Sequence, residues 1–172
     1  RIEACGALHR IHSNVADSLD SDAIDPVWSL QLLVEEGGKH WDVPAADMLG
    51  QLQLNSGEKD RILPGMLDLL KNPQRTESQK VSVATGILKL SPESPEADRV
   101  LKQMCNDQQL SPFIRGDAAA ALIKLSPATR DEAIGTVVEM ARQEDFHIGN
   151  LHELASDSSG LLSATLQLTQ DA

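Results

Sequence analysis

The chain of 172 residues has no tyrosine, two phenylalanines and two tryptophans, and its apolar residues are mainly leucine, alanine, isoleucine and valine. β-Sheets are usually rich in aromatic and β-branched residues, so the scarcity of aromatics favours helices packed on helices. No apolar run approaches the ~18 residues that a membrane-spanning helix needs, and no signal peptide is visible. We therefore expect a helical domain with no membrane partner.

Cysteine is also scarce, with Cys5 and Cys105 far apart in helical patterns. A disulfide framework in a small secreted domain would have more cysteines. We therefore predict two buried free thiols that behave as small hydrophobic side chains.

Basic residues are few at both ends of the chain, which has a net charge of −11. Residues 1–50 carry nine acidic and three basic side chains, residues 51–143 carry twelve of each, and residues 144–172 carry five acids and no Lys or Arg. Nucleic acid binding needs clustered Lys and Arg that neutralise phosphates. The charge pattern therefore disfavours nucleic acid as a partner, and an anionic membrane surface for the same reason.

The clearest helical signal is the stretch IRGDAAAALIKL, residues 114–125. Alanine and leucine have the highest helix propensities, and Ala118, Leu122 and Leu125 recur at the spacing of one helical face. The small alanines on this helix would let a neighbouring helix approach closely.

Similar short helices recur along the chain, and more polar helices lie between them. The short helices are predicted at 1–11, 41–52, 77–90 and 112–125, and the more polar ones at 26–36, 58–72, 95–107 and 129–142. Segments 89–92 and 124–127 both read KLSP and are 35 residues apart. The inner positions of the short helices are Leu8, Leu49, Ile87 and Leu122.

The steps between these inner positions are 41, 38 and 35 residues. Such a period, with two helices in each unit, is typical of helical-repeat proteins. We therefore predict an all-α fold, a right-handed α-α superhelix (solenoid) of about four to five stacked helix pairs. A compact bundle is the competing fold, but it would not explain the internal similarity.

Residues 62–90, ILPGMLDLLKNPQRTESQKVSVATGILKL, resemble a HEAT repeat. Pro64 lies inside the first helix, the polar Asn72 ends it, and the basic Lys80 opens an Ala- and Leu-rich second helix. The segment IRGDAAAALIKL is similar to the second helix of the PBS-lyase HEAT-like variety, and the resemblance covers residues 26–143.

The resemblance implies an Asp before the second helix and an Arg that opens it, and these two residues pair along the stack. Asp107 and Arg115 are the candidates here, with Asn72 and Lys80 as a weaker version. Asp42 stands where the second copy should have its basic residue. We therefore do not expect a continuous ladder of such Asp–Arg pairs along the stack.

The resemblance implies one HEAT-like repeat domain over residues 1–172, with a degenerate capping region at about 144–172. Since the chain begins at Arg1 in what matches a second helix, we expect a fragment of a longer protein. An unpaired helix at 1–11 would expose its apolar face, which predicts self-association through it or fraying.

HEAT proteins commonly bind partners on the concave face that their second helices line, so the resemblance implies a protein or peptide partner. The outward positions of the four short helices are Glu3, Gly6 and Arg10, then Pro44, Asp47 and Gln51, then Ser82, Thr85 and Lys89, and last Asp117, Ala120 and Lys124.

Among these positions Arg10, Gln51, Lys89 and Lys124 form a mostly basic row, which is a candidate site for an acidic peptide. The alternative is a solvated helix surface. Trp41 is a further candidate for partner binding, because tryptophan is enriched in binding hot spots, with packing against a neighbouring helix as its alternative.

No catalytic, cofactor or metal site is predicted. The acidic loop at residues 12–25 resembles a calcium loop but lacks the turn glycine and the closing glutamate, so whether it binds a cation stays open. His147 and the pair His152-Glu153 resemble one half of a metal site, but a single such pair cannot enclose a metal.

The sequence thus favours a non-catalytic protein-interaction or scaffolding module over an enzyme. Two alternatives remain. The first, which rests on resemblance alone, is a subunit of a lyase-type enzyme that handles a chromophore or other small molecule. The second, which the incomplete first repeat favours, is a purely structural segment of a larger multidomain protein.

Overall fold

The computed structural model describes residues 38–52 and 54–142, together with Leu30, Gln31 and Val34, and for residues 38–42 it describes the backbone alone. This part of the chain contains six helices and no strand, which confirms the all-α class. The helices are α1 (Gly38–Gln51), α2 (Ser56–Lys71), α3 (Glu77–Leu90), α4 (Pro95–Asn106), α5 (Pro112–Leu125) and α6 (Arg130–Arg142). Within these described residues, no helix has both the length and the apolar character that crossing a membrane requires.

Side-chain caps fix where the helices begin. The Asn55 side chain accepts a hydrogen bond from the Glu58 backbone N–H at 3.0 Å, and the Glu58 carboxylate accepts one from the Asn55 N–H at 2.8 Å. Thr76 and Gln79 form the same reciprocal pair at the start of α3. Such capping boxes satisfy backbone donors that the first helical turn leaves unpaired, so α2 and α3 begin where the sequence supplies these pairs.

The turns repeat at the spacing that the sequence predicted. The Asn72 side chain accepts a hydrogen bond from the Gln74 backbone N–H at 2.9 Å, and 35 residues later Asp107 accepts one from Gln109 at the same distance. The helices that follow, α3 and α5, begin and end 35 residues apart, and α4 and α6 also begin 35 residues apart. The internal similarity of the sequence is therefore also a similarity of local structure.

Two sets of helices can be traced through the packing. Helix α3 contacts α1 and α5, and α4 contacts α2 and α6, so the odd-numbered and the even-numbered helices each follow one another. Helices adjacent in the chain from α2 to α6 also contact each other. Superhelical stacking, its handedness and the number of helix pairs stay predictions.

Of the inner positions predicted for the short helices, Leu49, Ile87 and Leu122 are buried at 1% exposure or less, and Leu8 lies outside the described residues. Leu52, which the helical spacing from Ala45 and Leu49 also predicts to point inward, is 39% exposed instead. Helix α1 ends at Gln51, one residue before Leu52, so Leu52 no longer follows the helical spacing that buries Leu49. The same helix begins at Gly38, three residues before the predicted start at residue 41.

Helices α1 and α3 approach each other at two glycines. A Cβ added to Gly50 would lie 2.8 Å from the Gly86 Cα, and one added to Gly86 would lie 2.8 Å from the Ala46 carbonyl oxygen. Real Cβ atoms essentially never come this close to backbone atoms. Glycine is therefore needed at this crossing, where the two backbones touch.

The structure gives the predicted Asp–Arg pair other partners. Arg115 is buried, and its Nε donates a hydrogen bond to the Cys105 carbonyl oxygen at 3.2 Å, near the end of α4. Asp107 accepts from the Gln109 backbone instead. The pairing of Asp107 with Arg115 is thus wrong, because the arginine satisfies a carbonyl at a helix end where the last carbonyls have no intrahelical donor.

The weaker version of that pair does not form either. The Asn72 side chain accepts from the Gln74 backbone N–H, and the Lys80 ammonium lies 3.9 Å from Glu77, one turn before it in the same helix. The ladder that the resemblance implied is therefore not continued by side chains at these positions.

Candidate binding groove

A groove of about 390 Å³ lies between α3 and α5. Its floor is formed by small and aliphatic side chains, Val81 from α3 and Ala120, Ala121 and Leu125 from α5. The groove is open to solvent, so a side chain of another molecule can enter it.

Polar residues form the sides of the groove at helical spacing. Ser82, Thr85 and Lys89 line it from α3, and Asp117 and Lys124 line it from α5. Residues that recur at these intervals of three, four and seven positions share one face of a helix. Each helix therefore presents one stripe to the groove, and Asp47 of α1 completes the lining.

The groove brings together seven of the outward positions that the sequence assigned to the short helices. These are Asp47, Ser82, Thr85, Lys89, Asp117, Ala120 and Lys124. Sequence reasoning missed the contribution of Val81, Ala121 and Leu125, because residues beside the apolar stripe read as core. The side chains of these three residues reach the groove because of how α3 and α5 pack side by side, which is a tertiary feature.

Asp47 ties α1 to α3 at one side of the groove. Its Oδ1 lies 3.1 Å from the Lys89 Nζ, and its Oδ2 accepts a hydrogen bond from the Gln51 Nε2 at 2.8 Å. Since both charged side chains are partly exposed, such a pair contributes at most about 1 kcal/mol to stability. The pair offsets the positive charge of Lys89. The lining as a whole carries two lysines and two aspartates.

Asp117 stands in a different environment from Asp47. Among the residues that the structure describes, no hydrogen-bond donor or basic group pairs with its carboxylate. More than a third of the residue remains exposed, yet the protein around it removes part of its hydration, and this burial raises the pKa of the Asp117 carboxyl. The groove therefore contains one carboxylate that has lost water without gaining a donor.

An exposed aromatic side chain extends this face of α5. Phe113 is 64% exposed and lies four residues, about one turn, before Asp117. The spacing places both residues on the same face of the helix. Phe113 was not singled out from the sequence, because a hydrophobic residue in the first turn of a helix more often packs inward.

The other residues predicted to bind a partner lie in the groove, beside it or outside the described side chains. Lys124 lines the groove, whereas Gln51 lies beside it and is bonded to Asp47. The backbone of Trp41 belongs to α1, but its side chain is outside the described residues. Arg10 is also outside them, as are Cys5, the acidic loop at 12–25, the histidines at 147 and 152 and the region 144–172.

Cys105 is a buried thiol rather than a reactive one. Its side chain is buried, which confirms the predicted buried free thiol at this position. Burial is the largest influence on its ionisation and raises the pKa of the thiol, so the reactive thiolate is disfavoured. Within the described part of the chain, no group of three or more His, Cys, Asp or Glu side chains is arranged to hold a metal ion.

The fold and the groove together define an all-α chain with an open, small-residue groove between two helices. Comparison of the chain with protein-family models, with curated proteins and with solved structures found no match. The chemistry of the groove itself is therefore the basis for a functional assignment.

Proposed function

We propose that this chain is a non-catalytic protein-interaction module that binds a segment of a partner protein in the groove between α3 and α5. The observation that carries the proposal is the convergence of seven outward helix positions on one groove with a small apolar floor. Grooves between helices are common peptide-binding sites, in which apolar contact provides affinity and a few polar groups fix orientation.

We further propose that α1, α3 and α5 are the second helices of stacked HEAT-like pairs and that they form the binding face. Two observations support this arrangement. The odd-numbered helices contact one another in order, and the turns and helix bounds of residues 72–95 recur 35 residues later. In a stack of this kind each pair contacts only its neighbours, which creates an extended surface for partners.

No observation of the groove favours the lyase-type alternative. A small-molecule or chromophore site needs an enclosed, mostly apolar cavity that buries most of its ligand. Here the groove is open rather than enclosed, and two lysines and two aspartates stand in its lining. An open groove of this composition fits the side chains of another polypeptide better than a planar chromophore.

The test fills the groove without changing its charge. Ala120→Trp puts a bulky side chain on the floor, and Gln103→Trp is the matched control, because it places the same bulk on an exposed site of α4. We expect the wild-type chain and Gln103→Trp to capture the same partner from the source cells, and Ala120→Trp to lose it while its circular dichroism stays helical.

Retention of that partner by Ala120→Trp would contradict a site in the groove. The double charge reversal Lys89→Glu/Lys124→Glu then tests whether the two lysines of the groove contribute to partner binding. A partner that this variant releases binds close to Lys89 and Lys124. If the folded wild-type chain captures no partner at all, the interaction module is contradicted and the structural-segment alternative is favoured.

A further inference from the structure

We propose that the partner segment carries a Lys or Arg side chain whose cation pairs with Asp117 in the groove. This assignment rests on the proposed function and deepens it, because it names the chemistry of the segment that the groove selects. It also reverses the charge that the sequence indicated, an acidic peptide on a basic row.

Asp117 is the position in the groove where a charge is still uncompensated. The Asp47 carboxylate has both Lys89 and Gln51 as partners, whereas no donor or basic group among the described residues pairs with Asp117. Asp117 is the sixth residue of α5, beyond the unpaired N–H groups at the start of the helix. An incoming cation would thus supply the first partner of this carboxylate.

The lysines of the groove do not fill that role. Lys89 is held by Asp47 at 3.1 Å. Lys124 is on the same face of α5 as Asp117 but two turns away, about 10 Å along the helix axis. Since a carboxylate and an ammonium attract strongly only at close range in this setting, both lysines leave Asp117 available to a partner.

The surroundings of Asp117 suit the other parts of a Lys or Arg side chain. These side chains lay their aliphatic stems along apolar surface and keep the charge near water, and the floor formed by Val81 and Ala120 is such a surface. A basic side chain would contact both this floor and the Asp117 carboxylate.

The preference for a basic occupant comes from the groove itself. The net charge of −11 comes from residues 1–50 and 144–172, whereas residues 51–143 carry equal numbers of acidic and basic side chains. An acidic segment would bring a second carboxylate toward Asp117, whereas a basic one would pair with it.

The experiment selects ligands from random sequences, so the natural partner need not be identified first. A phage-displayed library of random peptides is selected against the full chain, and the affinity of the enriched peptides is measured by fluorescence anisotropy. We expect the enriched peptides to share a Lys or Arg among apolar residues. Asp117→Asn should weaken their binding about tenfold or more, the usual effect of losing a hydrogen bond between charged groups.

Asp68→Asn is the matched control, because it removes the same charge from an exposed site of α2 outside the groove. We expect it to change the affinity less than twofold, roughly the effect of a distant screened charge. Equal weakening by Asp117→Asn and Asp68→Asn would overturn the assignment, because net charge rather than Asp117 would then account for the binding.

Ala120→Trp separates the two proposals. If it blocks the peptides but they carry Asp or Glu, or bind Asp117→Asn as tightly as the wild-type chain, the cation assignment fails and the groove function stands. If no peptide is enriched, or if Ala120→Trp binds the enriched peptides unchanged, both proposals fail.

Discussion

At the scale of single residues, the placement of Asp117 has a cost in stability, because burial raises the pKa of its carboxyl. Its carboxylate is partly withdrawn from water and pairs with no donor in the described part of the chain. Stable proteins usually satisfy or fully hydrate such a group, and exceptions concentrate where a protein meets a ligand. The position of Asp117 thus has two consequences. It lowers the stability of the free protein, and it leaves the carboxylate available for the proposed contact with a cation.

The raised pKa of Asp117 predicts how folding stability changes with pH. The folded chain holds the Asp117 proton more tightly than the unfolded chain does, so stability falls as pH rises from the ordinary value of 3.8 through the raised pKa. Asp117→Asn should therefore raise the midpoint of thermal unfolding near pH 7 and have little effect at about pH 3, where both forms are neutral.

Differential scanning calorimetry at the two pH values measures this difference, with Asp68→Asn as the control for loss of one negative charge. Asp117→Asn would contradict the account if it lowered the unfolding midpoint near pH 7. An equal gain at both pH values would also contradict it, because the gain would then not come from ionisation.

Cys105 illustrates how burial controls reactivity at the same scale. Because burial raises the pKa of its thiol and excludes reagents, we expect the thiol to react with Ellman's reagent on the order of 100-fold more slowly in the folded chain than in guanidinium chloride. The measurement uses a Cys5→Ser background, so that one thiol is observed. Rapid labelling of the folded chain near pH 8 would show that Cys105 is accessible.

At the scale of elements, the contact of α1 with α3 depends on the absence of side chains. Gly86 lies against the Ala46 carbonyl oxygen, so the Cβ of Gly86→Ala would force the two helices apart. Alanine normally stabilises a helix by about 1 kcal/mol relative to glycine. We expect the steric cost to win and Gly86→Ala to destabilise the chain by about 1–3 kcal/mol.

Gly135 provides the matched control, because it lies in α6 and a Cβ added to it would meet nothing within 4 Å. Gly135→Ala should therefore stabilise the chain by about 0.5–1 kcal/mol. Urea denaturation measures both variants. If the two substitutions changed the free energy of unfolding in the same direction, close packing of α1 on α3 would not be the reason for Gly86.

At the scale of the whole molecule, the repeated features were the ones that could be predicted from sequence. The KLSP segments at 89–92 and 124–127 mark the ends of α3 and α5, and the inner positions Leu49, Ile87 and Leu122 are buried as expected. These features follow from local rules, the 3.6-residue period and helix-breaking residues, which each segment carries in itself.

The electrostatics of the groove depended on contacts between distant segments, which sequence reasoning did not supply. Lys89 is neutralised by Asp47, which lies 42 residues earlier, and Arg115 bonds to the Cys105 carbonyl rather than to Asp107. The environment of Asp117 likewise exists only once α3 and α5 lie side by side. A basic row could be read from the positions of the lysines, but their partners could not.

The central claim is that the groove between α3 and α5 is the binding surface of this molecule. The most direct test titrates the ¹⁵N-labelled chain with a peptide enriched in the library selection and follows the backbone amide resonances by NMR. We predict the largest shifts in the groove, at Ser82, Thr85, Asp117 and Ala120, and little change on the exposed sides of α2 and α4. Shifts concentrated at Asp68 and Gln103 instead, with the groove residues unchanged, would contradict the claim.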